Sequence, residues 1–176
     1  IRPKGLSTSN AAKTTDGIGV FMERFSNSCR EVAQGGRRGA LMLTISVHHP
    51  DIETFVNIKR DLSKVTGANI SIRLSDEFMS AVENKADFEL RYPVESSGEK
   101  IVSTRVDASS LWEQIIESAH ASAEPGLLFW DNVLNYTPAQ AYDEDGFHTI
   151  STNPCSEITL SAYDSCRLLL LNLTSF

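Results

Sequence analysis

The chain has 176 residues, 41% hydrophobic and 22% charged, with a formal net charge of −7 and three cysteines. That suits a soluble domain with one sizeable core, and the negative balance argues against general nucleic-acid binding. No apolar run reaches the roughly 20 residues that span a bilayer, the first residues lack a signal-peptide core, and irregularly spaced cysteines fit a reducing, cytoplasmic setting rather than a disulfide scaffold.

Residues 1–17 are rich in Gly, Ser, Thr, Asn and Lys and read as a loop. Arg2 and Lys4 flank Pro3 there, as solvated side chains or as an anion contact. Apolar positions at Ile18, Phe21, Met22, Phe25, Cys29, Val32 and Ala33 predict a helix over 18–33, with Cys29 as a small buried apolar residue. Gln34-Gly35-Gly36-Arg37-Arg38-Gly39-Ala40 follows. Its glycines permit unusual backbone geometry, and its arginines offer forked donors suited to phosphate or a base edge. By itself the run fits a helix stop with solvated arginines as well.

Residues 41–47 predict a buried strand. His48-His49-Pro50-Asp51 then reads as the start of a helix, with Pro50 at its first position and Asp51 in its first turn. Adjacent histidines diverge in direction and no third ligand follows, so a structural turn is expected there and no metal. Residues 68–74 predict a strand with Ile70 and Ile72 on one face. Asn69 on it is a candidate to face an active site. Ser75 can cap the helix that follows. Residues 88–94 and 100–106 predict a hairpin around Ser96-Ser97-Gly98. Ser110-Leu111-Trp112-Glu113 reads as a capping box for a helix to about residue 122, burying Trp112, Ile115, Ile116 and Ala119; His120 is expected on its surface. Residues 127–130 predict a short strand and 138–146 a polar acidic loop. Residues 168–171, four leucines, predict a buried strand. Strands and helices alternate from 18 to 130, a pattern for parallel βα units and an α/β fold. There is no internal repeat or linker.

The most specific chemistry lies in Thr152-Asn153-Pro154-Cys155-Ser156-Glu157. In an extended segment, Asn153, Cys155 and Glu157 would face one side together. The amide can donate and accept hydrogen bonds, the carboxylate can take a proton, and the sulfur can do nucleophilic or one-electron chemistry. Eleven residues on lies a second thiol, Cys166, able to take part in dithiol/disulfide exchange.

These residues resemble the finger loop of ribonucleotide reductases, whose pattern is Asn-x-Cys-x-Glu followed by a second cysteine and Asn-Leu. Here the pattern reads Asn153-Pro154-Cys155-Ser156-Glu157, then Asp164-Ser165-Cys166-Arg167 and Asn172-Leu173. The Asn-Pro-Cys form is most similar to the adenosylcobalamin-dependent, class II enzymes. The likeness runs through the chain in order, so it implies an interior fragment of the catalytic domain: part of a ten-stranded α/β barrel with residues 152–158 as the central finger. It also implies that residues 1–17 are the first effector-specificity loop, with Arg2 and Lys4, and residues 34–40 the second, with Gln34, Gly35, Gly36, Arg37 and Arg38. Family members often carry three arginines in the second loop; this chain has two.

The resemblance implies a mechanism. Cys155 becomes a thiyl radical and takes the 3′-hydrogen of a ribonucleotide. Glu157 takes the 3′-hydroxyl proton, and Asn153 orients the substrate. Cys166 is one of two reducing thiols, its partner lying outside the chain. Adenosylcobalamin would bind largely outside the chain, a deoxynucleoside triphosphate would act as effector, and an external thiol such as thioredoxin would regenerate the dithiol. A homodimer stands open as the assembly. Three rivals remain: a class I large subunit with a separate radical-generating subunit, a thiol hydrolase built on Cys155 and a histidine, and a non-catalytic nucleotide-binding module.

Overall fold

The computed structural model describes residues 1–32, 35–95 and 98–175. Its centre is a parallel sheet of three strands, β1 (Met42–Ser46), β2 (Asn69–Leu74) and β5 (Gly126–Phe129), in the order β1-β2-β5. Parallel neighbours need a crossover. Helix α2 (Ile52–Asn57) supplies the first; α3 (Asp76–Glu83), an antiparallel hairpin of β3 (Asp87–Tyr92) and β4 (Val102–Asp107), and α4 (Ala108–Ser122) lie in the second. The expected α/β order and the hairpin are therefore formed.

Register decides what each face carries. Ile45 pairs with Ile72, and Ile72 with Leu127. Side chains alternate along a strand, so Leu43, Ile45, Ile70, Ile72 and Leu127 share one face. Ile45, Ile70 and Ile72 join one buried cluster with Ile18 and Met22 of α1 (Ile18–Glu31), Phe55 and Val56 of α2, Phe78 of α3 and Ile115 of α4. The opposite face presents Thr44, Ser46, Asn69, Ser71 and Arg73. Gly126 sits beside Ser71, where a Cβ would come within 2.7 Å of Ser71 Oγ. Arg73 stacks over the ring of Trp130 at 4.9 Å, tying the end of β2 to α5 (Trp130–Tyr136).

Several expectations change. Helix α2 starts at Ile52, two residues after Pro50, because 47–50 form a turn in which His49 N–H donates to Ser46 O. Asp51 takes the N-cap position, and its carboxylate accepts the backbone N–H of Lys4 (3.0 Å) and of Ile18 (3.1 Å). It thereby anchors the N-terminal loop, whose only bridge among the described residues is Ser7 with Thr14. Helix α3 begins as expected, with Ser75 Oγ accepting from Phe78 N–H at 3.2 Å.

Helix α4 starts earlier than the Ser110 box. Asp107, the last residue of β4, accepts from Ser110 N–H at 2.6 Å, so a carboxylate replaces the hydroxyl cap. The buried face is Ala108, Leu111, Ile115 and Ser118, with the expected Trp112 partly buried against the core and Ile116 45% exposed. Ser118 Oγ donates to Val56 O at 2.7 Å and joins α4 to α2; His120 is on the surface, as expected.

Trp130 begins α5 rather than ending a strand, and Pro138–Asp145 forms 3-10 turns where a loop was expected. Proline preset for the first helical turn accounts for the latter. Cys29 is half-buried, not buried, with Gly39 pressed against it: a Cβ there would lie 2.7 Å from Cys29 Sγ. Residues 168–171 form no strand and lie exposed, Leu170 by 93%. An apolar strand needs a neighbour for its backbone groups, and none of the described strands pairs with it.

Candidate active site

Strands β6 (Thr149–Thr152) and β7 (Thr159–Ser161) pair antiparallel, and the Asn153-to-Glu157 run is the turn between them. It is therefore not extended, and the expected alternation of Asn153, Cys155 and Glu157 on one side does not form. Asn153 organises the turn. Its backbone N–H donates to Ile158 O at 3.1 Å, its carbonyl accepts from Ser156 N–H at 3.0 Å, and its Oδ1 accepts from Ile158 N–H at 3.1 Å. Ser156 completes the bend at φ +70°. A hairpin closes this way because the turn residues satisfy the backbone groups that the strands leave unpaired.

Asn153 is half-buried, while Cys155 and Glu157 are exposed. Cys166 lies beyond β7, exposed, and both thiols are free. The hairpin rests on the polar sheet face through two side chains: Thr44 Oγ1 lies 3.4 Å from Ser151 Oγ, and Asn69 Nδ2 donates to Pro154 O at 2.8 Å. The sequence singles out Asn69 but not Thr44 or Ser151; a polar Thr44 within the predicted buried strand 41–47 is the signal that points to it.

Beside the turn opens a cleft of about 860 Å³, lined by Arg30, Arg38, Thr66, Asn69 and Cys155 among others. In its lining, Arg30 Nη1 donates to Thr66 Oγ1 at 3.0 Å. The structure thus brings Arg38 and Cys155 to one cleft. Gly35 and Gly36 adopt positive φ, +56° and +81°, in the turn leading to Arg37 and Arg38; Gln34 lies outside the described residues. Arg2 and Lys4 are not among the cleft's lining residues. Arg2 Nη1 donates to Ser7 O at 3.2 Å, and Lys4 is held through its backbone to Asp51.

The two histidines build the turn that carries β1 into α2. His49 Nδ1 accepts from Asp51 N–H at 3.0 Å, which leaves the ring proton on Nε2 to donate to Ile1 O at 3.1 Å. His48 lies 3.0 Å from Ser75 Oγ and 3.3 Å from Glu89 O. Burial lowers the pKa of both, and for His48 the Arg91 guanidinium lowers it further. On the same hairpin, hydrogen bonds from Lys100 and Ser103 hold the Glu89 carboxyl down at about 2. An unfolded histidine takes its proton near about pH 6.5, whereas these folded ones resist it. Stability is thus present above that pH and declines as pH falls through the folded values. The urea midpoint of the full-length protein should fall from pH 7 to pH 5, with a shallower slope for His49→Gln. An unchanged slope would remove His49 from the account.

Parallel βα units with a cysteine-bearing hairpin laid on a polar sheet face define an α/β domain. The family model for the ribonucleotide reductase barrel domain matches residues 1–176, and the chain belongs to that family. It is 36% identical over 177 residues to the vitamin B12-dependent ribonucleoside-diphosphate reductase of Mycobacterium tuberculosis (strain ATCC 25618 / H37Rv), covering 98% of this chain and 24% of the relative. The vitamin B12-dependent ribonucleoside-diphosphate reductase of Thermoplasma acidophilum is 33% identical over 178 residues, with 100% and 22% covered. The vitamin B12-dependent ribonucleotide reductase of Streptomyces clavuligerus is 33% identical over 181 residues, with 89% and 18% covered. The chain spans about a quarter or less of the length of these relatives.

Proposed function

We propose that the protein containing this chain reduces ribonucleotides to 2′-deoxyribonucleotides, with Cys155 as the radical-bearing thiol. The observation that carries this is the turn Asn153-Pro154-Cys155-Ser156-Glu157, which presents Cys155 at a hairpin tip beside the Arg38 cleft. Family membership and the vitamin B12 dependence named for the relatives support it.

As a thiyl radical, Cys155 Sγ takes the hydrogen from C3′, forming S–H as C3′–H breaks. Glu157 accepts the 3′-hydroxyl proton, the general-base role of a positioned carboxylate. Asn153 Oδ1 is committed to the turn, so its Nδ2 donates to the substrate and orients it. The 2′-hydroxyl takes a proton from a dithiol that includes Cys166 and leaves as water. The dithiol also gives two electrons and its second hydrogen, which forms the new C2′–H bond, and ends as a disulfide for an external thiol, such as thioredoxin, to reduce. Cys155 then returns its hydrogen to C3′ and is a thiyl radical again, while Glu157 returns the proton to the 3′-oxygen.

Adenosylcobalamin, when bound, supplies the radical at Cys155. An exposed sulfur at a turn tip fits approach by such a group, and the residues holding the cofactor are assigned to the remainder of the protein. Residues 1–17, with Arg2 and Lys4, and 34–40, with Gln34, Gly35, Gly36, Arg37 and Arg38, serve a deoxynucleoside triphosphate effector and the substrate. The outer edges of β1 and β5 and the exposed leucines 168–171 fit a ten-stranded barrel closed by the rest of the protein, with 152–158 as its finger. No helix among the described residues is long and apolar enough to cross a membrane, and a cytoplasmic, homodimeric enzyme is proposed.

The test is conversion of a ribonucleotide by the full-length protein with dithiothreitol, with and without adenosylcobalamin. Turnover only with the cofactor is expected. Turnover only with a second, metal-bearing subunit would move the protein to class I. Deoxynucleotide binding with no turnover under either condition would overturn the enzyme and leave a binding module.

A further inference from the structure

We infer that Asn69 is a positioning residue for Cys155, acting through the peptide bond that joins Pro154 to Cys155; this rests on the proposed role of Cys155. Asn69 Nδ2 donates to Pro154 O at 2.8 Å. The carbon of that carbonyl is bonded to Cys155 N, so the contact lies on the peptide that carries the thiol residue. The hydrogen bonds that shape the turn all run within the hairpin: Asn153 with Ile158, and Asn153 with Ser156. They fix its curvature. They say nothing of where the turn sits against the sheet.

Placement against the sheet needs a contact between the two. Thr44 of β1 meets Ser151 of β6, and Asn69 of β2 meets Pro154 three residues further on. Two fixed points on adjacent strands hold the hairpin in place against the sheet. Thr44 is the entry tie and Asn69 the terminal one, nearest the sulfur. Asn69 also lines the cleft that holds Arg38 and Cys155, so a shift of the turn changes the distance from thiol to anything bound there.

Asn69 is exposed, and its bond to the turn is an exposed one. Removing such a bond costs little folding stability. A misplaced reacting atom, in contrast, is costly in rate even for small displacements. Positioning and general structure therefore give different signatures.

The experiment uses the full-length protein with Asn69→Ala and with Asn69→Asp, whose carboxylate has Asn's shape but no N–H. In both, kcat should drop about 10- to 100-fold, with KM for the ribonucleotide within about two-fold of wild type. The rate of Cys155 alkylation by iodoacetamide, followed by mass spectrometry, should change several-fold. Cys166 alkylation and the urea midpoint should stay put. Wild-type kcat, a loss confined to KM, or an unchanged Cys155 alkylation rate would each overturn the inference. So would a change at Cys166 matched by a lowered midpoint, which marks general loosening. If the wild-type protein makes no deoxyribonucleotide, the proposed function fails, and the alkylation comparison still decides whether Asn69 places Cys155.

Discussion

Cys155→Ala in the full-length protein should abolish deoxyribonucleotide formation, a loss of about 10⁴-fold or more, as expected when the one reacting atom is removed. The methyl group of alanine cannot hold the radical that sulfur holds. No other thiol in the chain stands in the same place: Cys166 lies beyond β7, and Cys29 is half-buried on α1 against Gly39. The turn itself should persist, because its hydrogen bonds come from Asn153, Ser156 and Ile158 and none from the Cys155 side chain. Substrate and effector affinity, read by equilibrium binding, should therefore match wild type. Retention of even a hundredth of the wild-type rate would take the radical away from Cys155.

The second large effect is on folding. Phe78→Ala should destabilise the domain by about 3–5 kcal/mol, the cost of deleting a buried aromatic ring and leaving a cavity. Phe78 is fully buried on α3. Its ring meets Phe88 edge-on at 4.9 Å between centroids and Trp112 at 6.3 Å, so one side chain joins α3, the β3–β4 hairpin and α4. These elements make up the whole crossover between β2 and β5. Urea denaturation would measure the effect, with Ile116→Ala as the contrast. Ile116 is half exposed on α4 and should cost well under the Phe78 value. Equal costs would mean that α4 presents a different face from the one described.

Both predictions touch residues that the sequence treated unequally. The Asn153-to-Glu157 motif was legible because the chemistry restricts which side chains can serve and at what spacing. Its conformation was not, since an extended run and a hairpin turn accommodate the same five residues. The choice fell to Asn153, whose backbone and Oδ1 bonds to Ile158 favour closure. The Asn69 contact was equally hidden, because it joins residues 85 apart in the chain.

What the sequence by itself determined is the alternating strand-and-helix order, the β3–β4 hairpin, the Ser75 cap and the candidate thiol. All of these rest on local signals: apolar period, turn residues, a hydroxyl before a helix and, for the thiol, the residue types and spacing of the Asn153-to-Glu157 motif. The tertiary structure decided the rest. It chose Asp107 over Ser110 as the cap of α4, and packing against the core buried Leu111 and Ser118 where Ile116 was expected. It set Asn69 and Thr44 on the sheet face where the hairpin rests. It also left leucines 168–171 unpaired, although their composition reads as strand. A strand exists only where another backbone is placed to receive its hydrogen bonds, and a run of leucines cannot carry that partner within itself.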